Sequence, residues 1–394
     1  MMGRICRFRS GLRAGHASSG GENDVVLDRR QATDEAVHFY IHPVFWPRSD
    51  IPESPDAHWP GFGFGIYTWT IQTFLRLRDA GVACELVSEL PERGVVVAHR
   101  ECLSAIDGKY SGRVASTKDR FIVDICADLY PYAPANLHIV QNPRMVRFGP
   151  TFIYVRHWPQ PGLIARAPER GATFRNIAYF GNEKNLSDDL RSPQWERELE
   201  ARDLAWTRRF QAFYYNDPAT YAPASFWSDY SEIDAVVAVR RAPRGGGEST
   251  HDQKPASKLY NAWIAGVPAI LGRESGYRIE RRSELDYLEA NTSEEILACL
   301  DRLRSNPDLR RAMEDNARRR ATEVCADATV EAWKSIVFDD VLPAYREWTS
   351  AGALVRRLIV ARRQARYQAV RVRHALARRL GLAAKAQAGR GGGA

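Results

Sequence analysis

The sequence lacks closely spaced pairs of cysteines, and it lacks a long apolar run. Its six cysteines form neither a Cys-x-x-Cys pair nor a regular series, which argues against a disulfide framework and a zinc site and predicts reduced thiols. No run is long enough to cross a bilayer. The first thirty residues contain arginines but lack the apolar core of a secretory signal. The sequence therefore predicts a cytoplasmic protein.

Several catalytic motifs are also missing. The sequence contains no Walker loop and no serine nucleophile elbow with its histidine and aspartate partners. The glycine run Gly61-x-Gly63-x-Gly65 lacks the third spaced glycine and the acidic partner of a dinucleotide fingerprint. A P-loop nucleoside triphosphatase, a serine hydrolase and an NAD enzyme are therefore poor matches.

Positive charge is concentrated at one end of the chain. The whole sequence carries a formal charge of +8, whereas residues 351–394 contain ten arginines and Lys385 without any acidic residue. This segment carries +11, so the preceding 350 residues carry a net charge of −3. The globular part is mildly acidic, which argues against a dedicated nucleic-acid binder.

Strand patterns alternate with helical patterns along most of the chain. Short apolar segments with the character of strands lie at 37–41, 83–87, 95–98, 121–127, 137–140, 151–155, 176–180, 204–210, 232–238, 267–271 and 287–290. Helical patterns cover 66–80, 192–202, stretches that begin at 293 and 306, and 329–348, which Pro343 is expected to break. Strands that alternate with helices favour parallel sheets, and 394 residues suffice for two α/β domains.

These patterns predict five segments. They are a disordered leader at 1–35, an N-terminal Rossmann-like domain at 36–175, a C-terminal Rossmann-like domain at 176–328, a crossover helix at 329–350 and an arginine-rich tail at 351–394.

One stretch combines a helix start, a helix stop and a strand. Pro255 suits the first turn of a helix, and Gly266 is a natural stop before an apolar strand. The start of this helix carries Lys254, Ser257 and Lys258. A helix N-terminus with cationic side chains, set before a parallel strand, suits a bound phosphate.

This arrangement resembles the donor-site helix of GT-B glycosyltransferases, which are enzymes with two Rossmann-like domains that use nucleotide sugars. The resemblance is to bacterial, notably cyanobacterial-type, members and extends across most of residues 37–330. Its most specific part is the donor helix with Gly266-Val267-Pro268, and segments 177–181 and 234–240 also match. The first half matches more loosely, through Gly65, Thr68-Trp69, Gln72-Thr73, His99-Arg100 and 138–142.

The resemblance implies a GT-B fold, with a cleft between an acceptor domain and a donor domain. It implies transfer of a sugar, as in hexosyltransferases, to a glycan, a lipid-linked or a small-molecule acceptor, in polysaccharide biosynthesis. The nucleotide sugar would be the co-substrate, with no further cofactor. The sequence has no suitably placed Asp-x-Asp motif, which agrees with a metal-free site where cations assist the departing diphosphate. Stereochemistry stays open, with retention slightly favoured.

The resemblance gives a set of candidate donor ligands: Arg240, Lys254, Ser257, Lys258, Tyr260, Asn261 and Glu274. Lys258 would neutralise the diphosphate and is also the candidate catalytic cation. Asn261 occupies the ribose-side position, where an acidic residue is commoner. Arg240 is either a diphosphate ligand or a surface arginine. Tyr260 either contacts the base or packs in the core, and Glu274 either binds sugar hydroxyls or is a solvated acid.

The candidate residues on the acceptor side are Gly63, Gly65, His42, Arg156 and His157. The glycines precede a predicted helix, so their N–H groups suit a close approach to donor or acceptor. His42, His99 and His157 each follow a predicted strand, where a catalytic base would lie, and each is otherwise a structural histidine. His99 is the leading candidate for the base.

Two other functions remain open. One is a nucleotide-sugar epimerase or hydrolase on the same fold, which would need more carboxylates near the anomeric carbon than the sequence offers. The other is a non-catalytic glycan- or polyanion-binding protein that uses the arginine-rich tail.

The tail has the pattern of an amphipathic helix. Its arginines surround a narrow apolar stripe that consists of Leu354, Leu358, Ala361, Ala365, Ala369, Val372, Leu376 and Leu380. This pattern is typical of a helix that lies on an anionic membrane, and it predicts peripheral attachment at the inner face. The alternative is a solvated basic extension.

Overall fold

The computed structural model describes residues 35–104, 112–210, 227–240 and 251–388. The predicted leader lies outside these ranges, apart from Glu35. The described cysteines are all free thiols, and no helix within these ranges is long and apolar enough to span a bilayer.

The first domain is built on a sheet of six parallel strands. They are β1 Val37–Tyr40, β2 Cys84–Val87, β3 Gly94–His99, β4 Arg120–Ala127, β5 Leu137–Val140 and β6 Phe152–Tyr154, in the order β2-β1-β3-β4-β5-β6. The central strand β3 is rich in valine and buried at every position. Helices cover both faces of such a sheet, so its central strands need no polar face.

The second domain has a parallel sheet of five strands. They are β7 Asn176–Gly181, β8 Ala205–Phe210, β9 Ala235–Ala238, β10 Ala269–Leu271 and β11 Leu288–Glu289, in the order β11-β10-β9-β7-β8. The central strand β9, Ala-Val-Val-Ala, is also buried throughout.

Within the described ranges, ten α-helices accompany the sheets. They are α1 Gly65–Asp79, α2 Arg100–Leu103, α3 Pro193–Glu200, α4 Ser257–Ala265, α5 Ser275–Glu280, α6 Ser293–Ser305, α7 Pro307–Val324, α8 Ala326–Ser335, α9 Leu342–Ser350 and α10 Ala353–Ala388. Two parallel sheets with flanking helices confirm the predicted α/β architecture of two Rossmann-like domains with a C-terminal helical extension.

The donor helix begins later than the sequence predicts. Its first residue is Ser257, with Ala256 as N-cap, so Pro255 and Lys254 precede the helix. Gly266 ends it in the left-handed conformation, at φ 70°, which glycine adopts without strain. Lys258 is thus in the first turn, whereas Lys254 belongs to the approach to the helix.

The predicted helix break at Pro343 is wrong. A π-helical segment, Ile336–Val341, joins α8 to α9, and Pro343 lies in the first turn of α9. Proline is tolerated in a first turn because its missing N–H would lack an intrahelical partner there. The chain therefore stays helical past the proline.

The helices α8 and α9 return to the first domain. Trp333, Val337 and Trp348 share an apolar core with Val95 and Phe121 of its sheet. The indole N–H of Trp348 donates to the carbonyl oxygen of Thr117 at 2.7 Å. The second domain is therefore inserted between two parts of the first.

The long helix α10 packs on the first domain with one face only. Tyr367 is buried between Phe148 and Phe152, with ring centroids 5.8 and 6.3 Å away. On the opposite side, Leu354 and Leu358 are 71% and 60% exposed. The first part of the predicted apolar stripe thus faces outward.

Candidate active site

The carboxyl ends of the two sheets face each other, and charged side chains follow the strands there. Arg240 comes two residues after β9, and Glu274 follows β10 as the N-cap of α5. In the other domain, His99 ends β3 and Asp128 follows β4. Ligands of parallel α/β sheets bind at this end of the strands, which makes this cleft the candidate active site.

Arg240 and Glu274 form a buried pair on the donor side. The Arg240 Nε donates to Glu274 Oε2 at 2.8 Å, and Glu274 is only 3% exposed. This carboxylate keeps the pKa of Arg240 high although burial opposes the charge. The second oxygen of Glu274, Oε1, is buried and has no hydrogen-bond partner within the described ranges. A ligand hydroxyl would satisfy it.

Lys258 lies beside this pair, one residue after the half-buried Ser257. Its ammonium is 5.8 Å from the ring centre of Tyr179 and, within the described ranges, makes no hydrogen bond or ion pair. Burial and the neighbouring Arg240 cation lower the pKa of Lys258 to about 7. A bound diphosphate would supply the missing counter-charge.

Gly181, at the end of β7, lets the backbone approach Lys258. A Cβ atom here would lie 2.7 Å from the hydroxyl oxygen of Tyr179 and 3.3 Å from Lys258 Cε, and φ is 156°. Only glycine fits this corner of the site.

Lys254 crosses the cleft. Its ammonium forms an ion pair with Asp128 of the first domain. Burial favours the neutral form of Asp128, but the charge and hydrogen bond of Lys254, together with the charges of His99 and Arg240, lower the pKa of the carboxyl group. Sequence reasoning missed Asp128. The signal was its position directly after a buried strand, at the cleft edge of the sheet.

The ring of His99 is buried, and its geometry fixes the position of the proton. The backbone N–H of Glu101 donates to His99 Nδ1 at 3.3 Å, so the neutral ring carries its hydrogen on Nε2. Burial lowers the pKa of His99, which favours this neutral form. Nε2 faces the start of α1, since a Cβ atom at Gly65 would lie 3.8 Å away. His99 therefore presents a donor, which does not suit the predicted role of base.

His157 has the opposite tautomer. Its Nδ1 donates to the carbonyl oxygen of Trp158 at 2.6 Å, so Nε2 carries the free electron pair. The ring meets Trp69 edge to face at 4.6 Å, and burial lowers the pKa of His157 to about 4. The ring is neutral at physiological pH, and its Nε2 can accept a hydrogen bond.

His42 and Gly63 lie outside this charged group. His42 caps the short helical turn Pro43–Phe45, where its Nδ1 accepts from the N–H of Val44 at 3.2 Å. Gly63 ends the turn Pro60–Gly63 before α1. Both help to build the loop that leads to Gly65.

The structure places Tyr260, Asn261 and Arg156 in the junction between the domains, away from Lys258. Tyr260 is 1% exposed and donates to Glu280 Oε1 at 2.7 Å. Arg156 binds the same carboxylate at 3.1 and 3.2 Å. The Asn261 side chain accepts from the backbone N–H of Gln160 at 3.1 Å. These hydrogen bonds within the protein occupy polar atoms that Tyr260 and Asn261 would need in order to bind a base or a ribose.

A polar contact also joins the domains beside the site. The Asn142 amide, after β5, donates to Ser275 Oγ at 2.9 Å and to the Lys254 carbonyl oxygen at 3.1 Å. Arg147 reaches Asp252 of the second domain at 2.8 Å. The cleft is therefore closed at this edge.

One group of described residues has the donor types of a metal site. The ligand atoms of Asp124, Cys126 and His138 lie within 4.8 Å of one another in the core of the first domain. Asp124 Oδ2 already accepts from the N–H of Tyr132 at 2.6 Å and lies 3.1 Å from His138 Nδ1. These bonds tie β4 to β5, and burial raises the pKa of the Cys126 thiol.

No protein-family model and no curated protein matches the chain. Solved structures of similar fold include the pneumococcal O-GlcNAc transferase GtfA in complex with UDP and GlcNAc (12% identity, 68% of this chain and 59% of GtfA covered, TM-score 0.45). Another is Anabaena HepE in complex with UDP and glucose (10% identity, 78% and 99% covered, TM-score 0.42). A third is AviGT4, a glycosyltransferase of avilamycin A biosynthesis (12% identity, 81% and 99% covered, TM-score 0.44).

The chain spans 59% of the length of GtfA and almost the full length of HepE and AviGT4. Two Rossmann-like domains meet with the carboxyl ends of their parallel strands at one cleft. The chain therefore has the two-domain arrangement of the GT-B fold. The solved structures to which it is similar include glycosyltransferases.

Proposed function

We propose that this protein is a glycosyltransferase that moves a hexose from a nucleotide sugar to a glycan, a lipid-linked or a small-molecule acceptor. The observation that carries the proposal is the convergence of Arg240, Lys254 and Lys258 near Glu274, whose Oε1 atom has no hydrogen-bond partner within the described ranges. Three cations suit a leaving diphosphate, and a buried carboxylate oxygen suits a sugar hydroxyl.

The acceptor would approach from the first domain. His99 Nε2–H, His157 Nε2 and Asp128 belong to that side of the cleft. Asp128 is the carboxylate among these three groups. It can accept a proton from the acceptor only after Lys254 leaves their ion pair and binds the diphosphate. The nucleotide sugar is the co-substrate, and the three cations supply the charge that a metal supplies elsewhere, so we propose a metal-independent reaction.

The proposed setting is the synthesis of a polysaccharide in the cytoplasm. The outward-facing first part of the apolar stripe of α10, with Leu354 and Leu358, and the arginines of this helix support attachment to the inner face of a membrane. Attachment would suit a lipid-linked acceptor.

The decisive experiment is incubation of the purified protein with UDP-, GDP- and ADP-sugars, with and without EDTA. We expect release of nucleoside diphosphate from one donor, accelerated by an acceptor and unaffected by EDTA. Release without any acceptor dependence would indicate a hydrolase. No release, together with no thermal stabilisation by any nucleoside diphosphate, would reject the proposal.

A further inference from the structure

A cavity lies outside the cleft, between the first domain and α10. Its volume is about 320 Å³. The floor includes His138 and Thr151, which lie at the amino-terminal half of β5 and just before β6. Because the cleft lies at the carboxyl ends of the same strands, this cavity is separate from the candidate active site.

The mouth of the cavity is basic. Arg362, Arg363 and Arg366 of α10 line it, and the described residues of its lining include no acidic one. Arg362 and Arg366 are exposed, so the mouth is open to solvent. None of the three forms an ion pair within the described part of the chain. The cavity therefore attracts an anion.

Arg363 lacks an acceptor. Its terminal Nη1 nitrogen is buried and has no hydrogen-bond partner among the described residues. A buried guanidinium N–H without an acceptor costs free energy that a ligand oxygen would recover. Gly149 allows Arg366 to lie against the backbone, since a Cβ atom there would be 3.3 Å from Arg366 Nε, at φ 150°.

The rest of the lining is apolar. Phe148, Phe152 and Ile359 form the walls. The exposed leucines 354 and 358 lie on the same helix, just before the cavity. A phosphate ester alone would need no such walls, whereas the first methylene groups of an acyl chain would pack on them.

We propose that this cavity binds one anionic phospholipid, with its phosphate on the three arginines and its glycerol and first methylenes against the apolar walls. The inference is independent of the proposed transferase activity. A basic helix attracts any anionic membrane surface, whereas this cavity would bind one lipid molecule. Each planar guanidinium can donate two hydrogen bonds to the phosphate oxygens, which fixes the position of the headgroup.

The test uses lipids that stay monomeric in water, so that surface charge alone cannot produce binding. We expect dihexanoyl-phosphatidylglycerol to bind the full-length chain with one-to-one, saturable calorimetry, and dihexanoyl-phosphatidylcholine and glycerol 3-phosphate to bind at least about tenfold more weakly. Arg363→Gln should weaken binding by a similar factor. Thr151→Trp should also weaken it, because the indole fills the cavity without changing any charge.

The matched control is Arg357→Gln, which neutralises an exposed arginine of α10 that is not part of the cavity lining. This variant should keep the affinity of the intact chain. Unchanged binding by Thr151→Trp, or equal losses in the control, would overturn the proposal. Equal affinity for glycerol 3-phosphate would assign the cavity to a soluble phosphate ester and reject the lipid.

Discussion

At the scale of single residues, Lys258 is the side chain whose replacement we expect to cost most activity. Lys258→Ala removes the cation that lies in the first turn of α4 and forms no ion pair within the described ranges. We expect turnover to fall roughly 150-fold, which corresponds to about 3 kcal/mol of transition-state stabilisation. The measurement is nucleoside diphosphate release under saturating donor.

The matched control is Lys118→Ala, an exposed lysine before β4, at the opposite edge of the sheet. It should keep full turnover. If Lys258→Ala also does so, with an intact fold by circular dichroism, the cationic cluster does not serve the leaving group.

The lowered pKa of Lys258 predicts a pH dependence of nucleotide binding. The pKa is about 7 in the empty site, and a bound diphosphate raises it. Below pH 7 the lysine is charged in both states, so affinity is constant. Above pH 7 binding must take up a proton, and the affinity for the diphosphate should fall about tenfold per pH unit.

Calorimetry in buffers of different ionisation enthalpy would count the protons taken up. Lys258→Met should remove both the proton uptake and this slope. A slope that persists in the variant would assign the titration to another group.

Asp128 competes with the ligand for Lys254. The two side chains are paired across the cleft, and a diphosphate must share or displace that carboxylate. Asp128→Asn removes one negative charge next to the proposed anion site, so we expect nucleoside diphosphate to bind about tenfold more tightly. The check is a titration at low and high salt, since an unchanged affinity would place the diphosphate elsewhere.

At the scale of elements, the end of α5 holds the domains together. The Glu280 carboxylate is 5% exposed and binds Tyr260 at 2.7 Å, Arg156 at 3.1 Å and Arg320 at 3.4 Å. Glu280→Gln leaves the partly buried Arg156 without this ion pair and removes one of three carboxylates from the buried Arg320, so we expect the free energy of unfolding to fall by about 3 kcal/mol. Urea denaturation measures this loss.

An exposed pair provides the comparison. Asp301 contacts Arg202 at 3.2 Å, and its side chain is 44% exposed. Asp301→Asn should change the unfolding free energy by less than about 0.5 kcal/mol. Similar losses in both variants would mean that Glu280 has no special role in the junction.

The strands were predictable because their signal is local. Valine-rich runs such as Gly94–His99 have no polar face, and only a strand covered on both sides suits them. The donor helix and its stop at Gly266 were predictable for the same reason. The sequence also placed Lys258, Arg240 and Glu274 at strand and helix ends that meet in one cleft.

Side chains that depend on domain docking were not predictable. Asn261 and Tyr260 lie on α4 next to Lys258 in sequence, but they face the junction because segment 154–160 packs there. The proton on His99 depends on a backbone N–H two residues away, and the continuation past Pro343 depends on a π-helical segment. Neither the His99 tautomer nor the π-helical segment produces a periodic pattern in the sequence.

At the scale of the whole molecule, the first domain needs the last part of the chain. Trp333, Val337, Tyr345 and Trp348 complete the core around β3 and β4. We expect a chain that ends at Val324 to lose the cooperative unfolding of the first domain while the second domain still unfolds as a unit. Domain-resolved hydrogen exchange checks this, and equal protection of β3 in both chains would contradict it.

The inserted position of the second domain has a consequence for synthesis on the ribosome. Strands β7 to β11 are contiguous in the chain, so this domain can fold as soon as they have emerged. The sheet from β1 to β6 emerges earlier, but its apolar face stays uncovered until Trp333 and Trp348 follow, 179 and 194 residues after the end of β6. In the cell the first domain is therefore synthesised first but completes its folding last. During that interval its exposed apolar face can bind a chaperone.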